Sequence, residues 1–194
     1  VYKRQRHLPA GSRPFAALAS HVAFSPDGKW LVVAANELRV WNVASGELLY
    51  RKENAGNGLV QFTRDGKHFL AVDKDGVVFI ETHSGTIVSA IATGGNPTRI
   101  LGAALAPDGS RVIVATATKG KAAVKAWALP SGEEILPRPR HKQIDETLIS
   151  LRFTPDKRSL VVVTGSYNFQ QRLQLLDPRT LKFQREFKTH TGLV

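Results

Sequence analysis

One short turn occurs four times in this chain, each time at the end of an apolar run. It reads Phe24-Ser-Pro-Asp-Gly28, Phe62-Thr-Arg-Asp-Gly66, Leu105-Ala-Pro-Asp-Gly109 and Phe153-Thr-Pro-Asp-Lys157. The turn aspartates Asp27, Asp65, Asp108 and Asp156 are 38, 43 and 48 residues apart. Proline presets one backbone angle and glycine accepts a positive φ, and each site carries one or both, so the chain reverses cheaply there. Asp27, Gly28, Asp65, Gly66, Asp108, Gly109 and Asp156 are therefore read as structural turn residues. The spacing says that one supersecondary unit is repeated, which rules out most single-copy folds.

Each unit runs through the same series of short strands. In the first, residues 21–25 lead into the turn, 30–34 and 38–42 follow, and 47–50 form an outer strand after Ala44-Ser-Gly46. The second predicts strands at 59–63, 68–72, 77–82 and 86–92, with reversals at Asp75-Gly76 and Ser84-Gly85. The third predicts 100–106, 111–116, 123–129 and a short piece at 134–136 after Pro130-Ser-Gly132. The fourth predicts 148–154, 159–164, 173–177 and 183–188. Sixteen β-branched or alternating runs with no helical periodicity predict an all-β chain. Repeats of roughly 40 residues and four strands are the period of propeller blades, so the expected fold is four four-stranded antiparallel blades. The blades fall at about 15–53, 54–93, 94–142 and 143–190, with residues 1–14 outside the repeat.

The turns, the Trp41-Asn42 and Leu176-Asp177 pairs closing the third strand, and the Ser-Gly reversals together resemble WD40 repeats of the bacterial kind. The resemblance covers about residues 15–194. It departs from that pattern at Ile80-Glu81 and Trp127-Ala128, and such degenerate blades are shared with YVTN-type and TolB-like propellers. It implies a sector of a seven- or eight-bladed ring. His190 stands where a new blade of this type opens, so 190–194 is expected to begin a fifth. Val1-Tyr-Lys-Arg-Gln5 is similar to translated adapter sequence, and with no methionine in the chain the reading frame is expected to begin further upstream.

Composition narrows function mainly by exclusion. No cysteine is present, so disulfides and thiol chemistry are absent, and no apolar run reaches the roughly 18–20 residues of a membrane helix. Gly-x-Ser-x-Gly, Walker and His-Glu-x-x-His motifs are missing, and no pair of the six histidines has metal-ligand spacing. Asp73-Lys-Asp-Gly76 lacks the further ligands of a calcium loop and reads as a hairpin turn. No enzyme activity, cofactor or metal is expected. Trp30, Trp41 and Trp127 are expected to pack between blades, and His21 and His68 to take surface or hydrogen-bonded roles at strand edges. The expected location is cytoplasmic, with a secretion signal upstream of residue 1 left open.

Charge is uneven. Residues 1–110 hold 12 Lys/Arg against 9 Asp/Glu, whereas residues 111–194 hold 15 against 7. The repeat period stretches in that same half, at 118–121, 136–147 and 165–172. On a WD40-like blade these three segments share one face, which gathers Lys119, Lys121, Arg138, Arg140, His141, Lys142, Tyr167, Phe169 and Arg172 as the candidate binding residues. Loops on a rigid scaffold are where binding concentrates, and Arg with aromatic residues suits an interface. The expected function is a non-catalytic scaffold for a protein or peptide partner. Nucleic-acid or anionic-ligand binding through the basic face is one alternative, and a propeller domain of a larger enzyme is another.

Overall fold

The computed structural model describes residues 21–35, 37–53, 55–73, 75–93, 99–118, 121–135, 147–165 and 171–187. Fifteen strands form four separate antiparallel sheets in chain order. Sheet I holds β1 (His21–Phe24), β2 (Trp30–Ala34), β3 (Glu37–Asn42) and β4 (Leu48–Glu53). Sheet II holds β5 (Ala55–Phe62), β6 (His68–Asp73), β7 (Gly76–Glu81) and β8 (Ile87–Ala92). Sheet III holds β9 (Arg99–Leu105), β10 (Arg111–Thr118) and β11 (Lys121–Ala128). Sheet IV holds β12 (Thr147–Phe153), β13 (Leu160–Gly165), β14 (Gln171–Leu176) and β15 (Phe183–Phe187). Each is a simple up-and-down meander with every strand beside its sequence neighbour.

The expectation of four strands in every sheet is corrected in sheet III, which has three among the described residues. Its outer segment is reduced to one bridge, Trp127 with Glu134, and a bond from the Ile135 N–H to the Ala126 carbonyl at 2.9 Å. Two features of the sequence weaken that strand. The other three units place a side-chain acceptor at the start of the reversal: Asn42 Oδ1, Glu81 Oε1 and Oε2, and Asp177 Oδ1 each accept two backbone N–H groups of the turn. The third unit has Ala128 there and offers none. Pro137 and Pro139 also remove two backbone donors just beyond the bridge.

The four repeated turns share one hydrogen-bond design. The carbonyl three residues back accepts from the N–H of Gly28, Gly66, Gly109 or Lys157 at 2.8–3.0 Å. In three units a hydroxyl two residues before the aspartate donates to its Oδ1: Ser25 to Asp27 at 2.6 Å, Thr63 to Asp65 at 2.7 Å and Thr154 to Asp156 at 2.6 Å. The same hydroxyl oxygen accepts the N–H that opens the next strand, from Trp30, His68 or Ser159. In the third unit Ala106 has no hydroxyl, and Ser110 bonds Asp108 from the other side at 2.7 Å. These bonds hold the carboxylates of Asp27, Asp65 and Asp156 below the ordinary range, with the Ser or Thr hydroxyl as the main cause. At Asp108 burial works against ionisation, and the Ser110 bonds with the nearby Lys157 ammonium outweigh it, giving about 2.

Successive sheets stack face to face by a fixed rule. Residues five and seven after each turn aspartate face the following sheet, and residues four and six after it face the preceding one. Val32 and Ala34 of sheet I thus meet Phe69 and Ala71 of sheet II. Leu70 and Val72 meet Val112 and Val114 of sheet III. Ile113 and Ala115 meet Leu160 and Val162 of sheet IV. Alternating strands explain the rule, because neighbouring residues point to opposite faces and both faces here are apolar. Trp127 is buried between sheets II and III, and Trp41 is buried on sheet I. Trp30 is only half-buried, against the ring of His83 at 5.8 Å on the next sheet's turn.

Candidate interaction face

Polar groups tie the inner strands of neighbouring sheets together. The Gln61 side chain on β5 acts like a piece of backbone toward β9: its Nε2 donates to the Ala103 carbonyl at 3.2 Å, and its Oε1 accepts the Leu105 N–H at 2.8 Å. His21 does a similar job between β1 and β5, its Nδ1 accepting the Val60 N–H at 3.3 Å. That bond requires an unprotonated Nδ1. Burial, and secondarily the Arg152 guanidinium of β12, lower the His21 pKa from 6.5.

The sign of the linkage follows. A histidine whose folded pKa is depressed favours the neutral form in the fold, so its contribution is full above 6.5 and is lost as pH falls through that value toward the lower folded one. The urea midpoint of the chain is expected to fall between about pH 7.5 and about pH 5.5, and to fall less in His21→Gln. Equal slopes in both proteins would show that His21 carries none of the effect.

His68 stacks on Phe79 with ring centroids 5.0 Å apart. Asp73 Oδ1 accepts the N–H groups of Asp75 and Gly76 at 2.8 and 2.7 Å, which is a hairpin turn and not an ion cradle. Among the described residues no group of three or more His, Cys, Asp or Glu could hold a metal. Arg39, buried on β3, is ion-paired with Glu37, as a buried charge must be.

The strand ends locate the stretched segments. β10 and β11 pair as far as Thr118 with Lys121, and β13 and β14 as far as Gly165 with Gln171. Both hairpin ends, and the start of β12 at Thr147, lie at the end of their sheets opposite the aspartate turns. Of the candidate residues, Lys121 opens β11 and Arg172 is exposed on β14. Lys119, Arg138, Arg140, His141, Lys142, Tyr167 and Phe169 lie outside the described residues, as do the side chain of Lys121, residues 1–20 and residues 188–194 with His190. Among the described residues no helix is long and apolar enough to cross a membrane.

The hydroxyl partners of the turn aspartates were the residues that sequence reasoning missed. Their signal was present as a Ser or Thr two positions before Asp27, Asp65 and Asp156. The chain is an all-β protein of four repeated, stacked antiparallel sheets. Comparison with protein-family models gave no match, and the search of curated proteins found no similar sequence.

Proposed function

We propose that the four sheets are consecutive blades of a WD40-like β-propeller serving as a non-catalytic interaction platform, with a protein or peptide partner bound on the loop end of sheets III and IV. The stacking rule carries the blade reading: the same turn positions face forward and backward at all three junctions. By that rule Val161, Val163, Leu173 and Leu175 form the forward face of sheet IV, and they are only half-buried, with Phe187 exposed beside them. This supports a ring of more than four blades, in keeping with seven or eight. Basic segments that join strand ends on one side of the stack favour recognition over chemistry.

Affinity capture with the chain and with a Lys119→Glu, Lys121→Glu, Arg138→Glu, Arg140→Glu, Lys142→Glu variant tests the surface. At least a tenfold loss of the retained partner is expected in the variant, and equal retention would refute the reading. The surplus of Lys/Arg in residues 111–194 favours nucleic acid as a second reading. In that case a labelled single-stranded oligonucleotide binds with affinity falling steeply as salt rises.

A further inference from the structure

The three complete sheets each end in an outer strand whose far edge no other described strand covers. Such an edge offers a row of backbone donors and acceptors, and proteins commonly guard it with charge. β4 does so with Arg51, Lys52 and Glu53, and β15 with Arg185 and Glu186. β8 reads Ile87-Val-Ser-Ala-Ile-Ala92 and carries no charge, nor do Thr86 and Thr93 on either side, in a chain that is 22% charged. It has no proline either. Ser89 and Ile91 turn inward, whereas Ile87 is 47% and Val88 39% exposed, with Ala90 and Ala92 also exposed.

We propose that β8 is a self-association edge, through which two copies of the chain join antiparallel into one continuous sheet. The unpaired backbone specifies an extended strand as the occupant, and charge selects a second copy. A two-fold centred on Ala90 sets Val88 opposite Ala92 of the second copy, with small side chains at the centre and no charge on either side. The same operation on β4 or β15 would bring Arg51 or Arg185 against its own copy, so those edges reject like pairing. β8 lies on the edge of sheet II opposite β5, so packing on the free face of sheet IV leaves it open. An edge this short buries less than the roughly 1,200 Å² of stable complexes, so the association is weak and concentration-dependent.

Sedimentation analysis of the full chain from about 10 µM to about 1 mM tests this, a range that spans weak association. A monomer–dimer equilibrium is expected, and Val88→Lys with Ala90→Lys should raise its dissociation constant at least tenfold. Phe187→Lys, on the free face of sheet IV, should leave it unchanged. If the double variant fails to fold by circular dichroism, the exposed Ala92→Lys replaces it. A monomer at every concentration overturns the proposal. So does a dimer lost in Phe187→Lys but kept in the β8 variants, which would assign association to sheet IV.

Discussion

Alanine at position 76 is expected to destabilise the chain by about 3 kcal/mol or more, although it adds a single methyl group. Gly76 opens β7 opposite Ala92 of β8. A Cβ there would lie 1.9 Å from the Ile91 carbonyl oxygen and 3.1 Å from the Thr93 nitrogen. Both are backbone atoms of the neighbouring strand, so no side chain can swing aside. The two strands must separate at the hairpin whose bonds Asp73 organises. Gly28→Ala is the matched control. Gly28 also lies in a tight turn, at φ 71°, but a Cβ there meets nothing within 4 Å. Its cost is the left-handed backbone alone, about 1–2 kcal/mol. Thermal unfolding should therefore show a lowering of roughly 6 °C or more for Gly76→Ala and clearly less for Gly28→Ala. Gly76, unlike Gly28, has no left-handed backbone, so equal shifts would mean that the close approach of β8 costs no more than the strain at Gly28.

The second large effect is expected at Leu181, a residue that looks expendable in the sequence. In the first three units the corresponding reversal holds Gly46, Gly85 and Gly132, all with φ near +70°. Leu181 takes φ 54° in the fourth, where a leucine is strained. It is nonetheless 4% exposed and belongs to the core between sheets III and IV with Ala104, Ile113 and Leu160. At the earlier junctions the preceding sheet's outer strand reaches over the glycine: the Tyr50 ring stands 2.8–3.0 Å from where a Gly85 Cβ would lie, and Ser89 Oγ stands 3.0 Å from that of Gly132. Among the described residues sheet III has only its bridge in place of such a strand, and the turn supplies its own apolar side chain.

Magnitudes decide which influence prevails at Leu181. Relief of backbone strain by glycine is worth about 1–2 kcal/mol, and loss of a buried leucine costs about 2–5. Leu181→Ala should then lose roughly 2–5 kcal/mol, because it keeps the strain and empties the site. Leu181→Gly should be less damaging than alanine and still less stable than the unaltered chain. Denaturant titration of the three proteins gives that order directly. A glycine variant more stable than the parent would show that strain outweighs packing.

These two positions also mark how far the sequence could be read. The strand register was legible because it is written in local chemistry. Asp with Pro, Gly or both at each turn fixes a reversal within four residues, and runs such as Trp30–Ala34 and Arg111–Thr118 are β-branched or alternating. The departure at Trp127-Ala128 was visible too, but not its consequence for the outer strand of sheet III. Of the candidate binding residues, only Lys121 and Arg172 fall within the described backbone, at strand ends where the sequence had placed their loops. The other seven lie outside the described residues, and no turn motif in the sequence bears on them.

The sequence alone determined the repeat, the all-β class and the positions of the four aspartate turns, since each rests on interactions between residues close together in the chain. Tertiary structure decided which face of each strand meets which sheet, why Gly76 has no room for a Cβ, and why Leu181 can hold a glycine's place. It also decided that Gln61 and His21 would stitch inner strands together. Those outcomes join groups far apart in the chain, such as Gln61 with Leu105 and Leu181 with Ala104, and only the stacking of one sheet on the next brings them together.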